Sequence, residues 1–395
     1  MGMIRGLTGH AADLTVAVPA PTSPPPLSAA APPEDIDLKR MAQWAMNYLI
    51  RTPRKELNYE PVFQCNPLQC PPTPGGHDVV VPCDTDARMD WEWYYMREIS
   101  GSEAGRDIEA AFHKRMLDYV EEDGTVLAHP GCYNEGDIHK IYSKEEYAYH
   151  VWGATKIMHS LAEDFRRTGS RQSRDIARKI MLRLKKLAIY PTPDTCYFPA
   201  GMGAMNPDGT PVPNSWNRMP APVIEPLINY YLVFGDGEAL AFAKAYAKGI
   251  MTGAQPDGIK IRADGDIDGG HSHVTMHALW GIAHLGVVTG EAAYTTFAKR
   301  SWDFMLSLGT GAGWFPAMPG GWATDETCLC SDMMSNATMI ARGGHPEYFD
   351  FVERYLRNRI SPCQFILTPE FESEYRRFNR AAGEDMIQQG LTELA

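Results

Sequence analysis

The residues best equipped for chemistry lie in two short segments. The first is Asp325-Glu326-Thr327-Cys328-Leu329-Cys330, where a carboxylate stands two residues from a thiol. At a helix start this pair could offer zinc one oxygen and one sulfur, and the metal and the helix N-terminus would both favour the thiolate. Two ligands do not make a site, since closed zinc takes four and catalytic zinc at least three. Cys328 and Cys330 would splay by about 200° on a helix, so they are not expected to share one ion. The second segment is His271-Ser272-His273 with His277 and His284. His273 and His277, four apart, would share a helix face like half of a metal site, but no Glu follows His273 as a zinc protease requires. Substrate hydrogen bonding by one histidine, with the rest packed, is the simpler expectation.

More polar and aromatic residues gather in long segments rich in Gly and Pro. Asp84, Asp86 and Asp90 precede or open one helical pattern, and His129, Tyr133, Glu135, Asp137 and His139 fall within 120–144. Asn214, Trp216, Asn217 and Arg218 fall within 188–219, Asp264, Asp266 and Asp268 within 252–270, and Trp314, Trp322 and Asp325 within 309–325. Aromatic faces stack on sugar rings while carboxylates and imidazoles bond hydroxyls, so a carbohydrate cleft is expected. His271, His273, Asp90 and Trp216 are its substrate-binding candidates. Taken singly, each could equally be an ordinary loop or core residue.

The elements that must position these residues are helices at a repeating interval. A turn marker recurs as Ser100-Gly101, Thr168-Gly169, Gly235-Asp236-Gly237, Thr289-Gly290 and Gly343-Gly344, at steps of 53 to 68 residues. Glycine ends a helix in the left-handed conformation, and the polar residues beside it cap the next one. Before each marker the pattern is apolar and aromatic: Met89–Ile99, Tyr147–Phe165, Val223–Phe234, Val274–Val288 and Cys328–Ile340. After it the apolar stripe narrows and charge increases: Gly105–Tyr119, Arg174–Leu187, Leu240–Met251, Ala292–Leu308 and Glu347–Arg359. That alternation predicts an inner and an outer ring. Five such pairs plus a lone helix near Leu38–Ile50 predict an all-α (α/α)6 toroid of helical hairpins with about eleven main helices. An open solenoid is the alternative. In the toroid, the long segments all fall at the end where inner helices begin.

Composition bounds the partners. Of 395 residues 44% are hydrophobic, enough for a large core, and the charge of 37 − 49 = −12 repels nucleic acid and anionic lipid. The 22 residues Gly269–Gly290 lack Asp, Glu, Lys and Arg but carry four histidines and five glycines, too polar for a bilayer span. No secretory signal or membrane span is expected, which points to the cytoplasm. Residues 1–35, with their Pro/Ala-rich run 18–33, are expected to be a disordered leader, and 36–395 the barrel domain. Eight cysteines are too few for a disulfide scaffold.

With those residues in place, a family resemblance emerges. Glu326-Thr327-Cys328, followed by the run from Tyr348 to Asn358, resembles the bacterial β-L-arabinofuranosidases of glycoside hydrolase family 127. Asp84-Thr85-Asp86 leading to Trp91 and Trp93 is similar to the family's Asp-x-Asp helix. Thr155-Lys156-Ile157 through Thr168-Gly169 is similar to its His-Lys-Ile helix, and His271 through Gly281 to Thr289-Gly290 to its His-x-Asn helix. The resemblance covers roughly residues 36–365. It implies a zinc ion held by a Glu, the Cys two residues on and a downstream Cys-Cys segment, one of whose thiols is the nucleophile of a retaining reaction. Carried over, Glu326 and Cys328 would be zinc ligands and His271 a sugar-binding residue. The family's helix histidine is Thr155 here, its Gly-Glu general acid has no counterpart in 309–322, and its Cys pair does not occur before Ala395. The nucleophilic cysteine is therefore expected beyond Ala395, in a chain cut short of the end of its barrel and of the β-sandwich that follows.

Three functions stay open on these grounds. The first is a glycoside hydrolase of the retaining β-L-arabinofuranosidase type, with a zinc–thiolate site in its full-length form. The second is a six-hairpin polysaccharide lyase or sugar epimerase, which works with His, Tyr or Arg and needs no thiolate. The third is a non-catalytic helical scaffold that binds carbohydrate or protein.

Overall fold

Apolar residues at helical spacing explain both rings. The computed structural model describes residues 36–55, 58–61, 87–128, 148–206, 209–212, 215–321, 324–364 and 367–394. Eleven main helices follow in chain order: α1 (Leu38–Arg51), α2 (Ala87–Ser100), α3 (Arg106–Leu117), α4 (Val151–Thr168), α5 (Arg171–Leu187), α6 (Ile224–Phe234), α7 (Gly237–Thr252), α8 (Ser272–Thr289), α9 (Ala292–Leu308), α10 (Thr327–Arg342) and α11 (Phe349–Tyr355). The even-numbered helices pack each on the next as an inner ring, and every odd-numbered helix packs outside on an inner neighbour. Sequence patterning fixes which is which. α4 is buried continuously from Val151 to Glu163, whereas α5 buries only the stripe Ser173, Ala177, Ile180, Met181 and Leu184. A helix buried all round belongs inside, and a striped one belongs on the surface. Burying an inner-ring side chain such as Leu279 or Ile282 contributes about 2 kcal/mol.

Local signals set the hairpins. Gly169 closes α4 at φ 73°, a left-handed conformation that costs glycine nothing, and Ser170 then caps α5 by accepting from the Ser173 N–H. Inner helices also approach closely where a side chain is missing. A Cβ at Gly281 of α8 would lie 2.7 Å from the Ile224 Cβ and 2.8 Å from the Glu225 nitrogen of α6. The two ends of the array meet where the Gln364 side chain donates to the Met41 carbonyl at 2.8 Å. The fold is thus the all-α (α/α)6 toroid that the hairpin pattern predicts.

Three details differ from the sequence pattern. The expected helix Glu347–Arg359 is broken into a 3-10 turn, α11 and a π-helical turn Leu356–Ile360. Two further helices, Pro369–Phe378 and Glu384–Leu394, pack on each other around Tyr375, Ile387 and Leu391, apart from the main core. The acidic segment Asp264–Asp268 engages its own neighbours. It forms a local turn in which Arg262 pairs with Asp266, and Asp268 caps the Lys260 N–H. Among the described residues no helix is long and apolar enough to cross a membrane. Residues 1–35, expected as a leader, lie outside the described residues.

Candidate functional site

Polar residues recur at three- and four-residue steps on the inward faces of otherwise apolar inner helices, and that spacing stacks them along one lumen. α2 contributes Arg88, Trp91 and Glu92, α4 contributes Trp152, Lys156 and His159, and α6 contributes Glu225. α8 contributes His273, His277, Trp280 and His284, with His271 as its N-cap, while α10 contributes Cys328, Asp332 and Asn336, with Glu326 as its N-cap.

At the mouth, His271 Nε2 lies 2.6 Å from Glu326 Oε2, and the Cys328 thiol approaches the same oxygen at 3.7 Å. The hydrogen bond from His271 holds the Glu326 carboxyl below its ordinary range. Burial, with the negative charges of Glu326 and Asp332, pushes the Cys328 thiol up to about 12. Cys330 is fully buried on another face of α10, where Gly313 and Tyr355 pack.

One turn deeper, Asp332 accepts from two imidazoles. His273 Nδ1 bonds its Oδ2, and His277 Nδ1 lies 3.1 Å from its Oδ1. Burial opposes the charge on Asp332, but the two histidines override it and hold its carboxyl far below the usual range. Lys156 Nζ lies 2.9 Å from His277 Nε2 and sits over the Trp91 ring at 4.5 Å. Burial and the Lys156 charge together lower His277 to about 4. Arg88 covers the Trp152 ring at 4.5 Å. Glu92 is an exposed side chain of α2 near Arg88 and Lys156; desolvation pushes its carboxyl up to about 7 against the pull of those two charges.

At the floor, His159 joins Glu225 at 3.1 Å through Nδ1 and the Tyr95 hydroxyl at 3.2 Å through Nε2. Burial raises the Glu225 carboxyl and the His159 charge pulls it down, leaving it at about 2, while burial holds His284 at about 4.

The sequence candidates separate accordingly. Glu326, Cys328, His271 and His273 come together along one wall of the lumen. Asp90 does not join them: it is 1% exposed and bonds His113 of α3 at 2.8 Å and the Ser160 hydroxyl of α4, so it ties helices together and is closed to a sugar. Trp216 falls in the 3-10 turn Ser215–Arg218, and its side chain lies outside the described residues. Asp325 faces away from the lumen and pairs with Arg359 at 2.5 Å. Asp84, Asp86, His129, Tyr133, Glu135, Asp137, His139, Asn214 and Trp322 also lie outside the described residues. Sequence reasoning passed over Glu92, His159, Glu225 and Asp332. Their signal was present as isolated charges within apolar helical runs, where an unpaired charge would be costly.

A zinc ion on Glu326 and Cys328 fits this arrangement poorly. Among the described residues the one group of three ligand types with atoms within 4.8 Å of one another is His273, His277 and Asp332, which omits both. Glu326 already accepts from His271, and the neighbouring charges of Glu326 and Asp332 disfavour a Cys328 thiolate.

No protein-family model matches the chain, and no curated protein sequence matches it. Solved structures do match. Cellobiose 2-epimerase from Bacillus thermoamylovorans aligns with a TM-score of 0.61 at 13% identity, over 81% of this chain and 86% of that one. A D-mannose isomerase aligns with a TM-score of 0.60 at 11% identity, over 84% and 88%. A β-arabinofuranosidase of glycoside hydrolase family 127 aligns with a TM-score of 0.51 at 14% identity, over 81% of this chain and 50% of that one. The chain therefore spans about half the length of that arabinofuranosidase and most of the length of the other two. At these identities the likeness shows the six-hairpin toroid fold.

Proposed function

We propose that this chain is a carbohydrate-active enzyme of the sugar epimerase or isomerase class, which moves a proton next to a sugar carbonyl inside the toroid lumen. The observation that carries the reading is Asp332, a buried carboxylate that orients His273 through Nδ1 and leaves the other ring nitrogen for the lumen. A carboxylate-held histidine is a general base with a fixed direction. Glu92, with its carboxyl near 7, is the partner that can carry a proton at neutral pH.

The steps balance within these groups. In an open-chain aldose, His273 Nε2 takes the proton from the carbon beside the carbonyl while Glu92 gives its proton to the carbonyl oxygen, forming an enediol. When the enediol turns over in the lumen, the His273 imidazolium returns its proton to the opposite face of C2 while the O1 hydroxyl gives its proton back to Glu92, which yields the 2-epimer. Delivery of the His273 proton to C1, with the O2 hydroxyl reprotonating Glu92, yields the ketose. Trp91, which is partly exposed, supplies a face for the sugar, and the His271–Glu326 pair binds hydroxyls at the mouth. The likeness to an epimerase and an isomerase over most of their length supports the same reading.

Incubating the protein with aldoses and β-linked disaccharides in D2O tests it. The expected result is deuterium incorporation at C2 with a new epimer or ketose. Absence of exchange across the panel, alongside hydrolysis of an aryl β-L-arabinofuranoside, would overturn it in favour of a retaining glycosidase. That second reading draws on one observation, the 3.7 Å approach of Cys328 to Glu326.

A further inference from the structure

We propose that Lys156 is a positioning residue which, acting through His277 and Asp332, fixes the tautomers of two imidazoles and occupies the place of a metal counter-charge, so that the His273–His277–Asp332 cluster works as a hydrogen-bonded relay and not as a cation site. The role assigned to His273 rests on the proton-transfer reading above; the relay itself rests on hydrogen-bond logic alone.

That logic starts from donors. An ammonium group has three N–H donors and no lone pair, so at 2.9 Å from His277 Nε2 it must donate and the nitrogen must accept. The single proton of the neutral ring is then on Nδ1, which faces Asp332 Oδ1 at 3.1 Å and donates to it. With one carboxylate oxygen committed, Oδ2 accepts from His273 Nδ1–H, and His273 Nε2 is the nitrogen left for the lumen. Reversing the Lys156 bond would set two donors against each other, and reversing either Asp332 bond would set a ring lone pair against a carboxylate oxygen. The low pKa of His277 agrees with a ring kept neutral beside a cation.

The same chain excludes a metal. The three residues have ligand spacing, with their atoms within 4.8 Å of one another. Binding through the two Nδ1 atoms would, however, strip both of hydrogen and move the His277 proton to Nε2, pointing it at the Lys156 ammonium. A divalent ion would also lie one imidazole away from that buried positive charge. Lys156 cannot retreat, because it is fully buried, with its Nζ 4.5 Å from the Trp91 ring centre and 5.8 Å from that of Trp152. Lys156 thus stands where a metal site would need either a vacancy or an acceptor.

Long-range 1H–15N correlation of the histidine rings in the 15N-labelled full chain tests this, with H273Q and H277Q used for assignment. In the wild type, His277 is expected to show a protonated Nδ1 and an unprotonated Nε2, and adding zinc alone is expected to shift neither ring. In Lys156→Met, of similar length and apolar, the Nε2 of His277 is expected to gain a proton, and zinc to shift both rings with 1:1 stoichiometry. Once a substrate is in hand, K156M should lose about 10- to 100-fold in kcat, as loss of a supporting partner typically costs, with KM little changed. A wild-type His277 protonated on Nε2, or stoichiometric zinc uptake by the wild type that shifts both rings, would overturn the proposal. The wild-type spectrum decides this even if a variant folds poorly. It needs no substrate, so failure of the proton-transfer reading is seen separately in the D2O exchange experiment.

Discussion

Asp332→Asn removes the charge at the centre of the site while keeping its shape. The Asp332 side chain is 7% exposed and accepts from both His273 and His277. Asparagine offers one acceptor oxygen and an NH2 donor, so one imidazole keeps its bond while the other meets a donor. Losing one charge-assisted hydrogen bond costs about 1.5–3 kcal/mol, and a buried unsatisfied donor about 1–3 kcal/mol more. The sum, about 2.5–6 kcal/mol, brackets the roughly 3–5 kcal/mol that breaking a buried ion pair by removing one partner usually costs. Urea unfolding followed by near-ultraviolet circular dichroism at pH 7 reads that difference. The pH dependence fixes its origin. A carboxyl whose folded pKa is depressed stabilises fully above its unfolded value of about 3.9 and loses that contribution as pH falls below it. Asp332 is such a carboxyl, so the gap between wild type and variant should be widest near neutrality and narrow by pH 3. Activity should fall about 10³- to 10⁴-fold in kcat, as when a carboxylate that orients a catalytic histidine becomes an amide. A variant within about 1 kcal/mol of wild type at pH 7, or a gap that does not narrow in acid, would show that the charge does not hold the two rings.

Other perturbations separate the remaining roles. Glu92→Gln should abolish the proton donor and flatten the pH–rate profile near 7; because the native carboxyl is raised, the wild type should also lose stability relative to the variant as pH climbs from about 4.5 through 7, and parallel unfolding curves across that window would contradict this. Cys328→Ser should leave epimerase or isomerase turnover within about threefold, since the proton transfer assigned to His273 and Glu92 asks nothing of this exposed thiol, whereas loss of all activity would favour the glycosidase reading. Zinc titration followed by calorimetry should show no stoichiometric uptake, and tight 1:1 binding abolished by C328S would place a metal at Glu326 after all. Gly281→Ala should cost about 1–3 kcal/mol by thermal unfolding, because its Cβ meets the α6 backbone, which cannot step aside without dragging Glu225 from His159; an unchanged melting point would refute that tight crossing.

The sequence by itself determined the hairpins. Glycine after each apolar run, the capping Ser170 and Asp236 behind two of them, and the alternation of broad and narrow apolar faces are local or periodic signals, and they specify inner and outer helices without reference to anything distant. His271, Glu326 and Cys328 were likewise legible, because they stand at helix starts and those starts share one end of the ring. The tertiary structure decided the rest. Asp90 and Asp332 are both acidic residues in inner helices, and nothing local tells them apart; the rotation of α2 turns Asp90 towards His113 and Ser160, while that of α10 turns Asp332 onto His273 and His277. The Lys156–His277 bond joins residues 121 positions apart, and the His271–Glu326 bond joins residues 55 apart. A period of 3.6 residues fixes which side chains share a face. It leaves open which face another helix will meet, and that choice, made by packing around the whole ring, is what turns isolated polar residues into a relay.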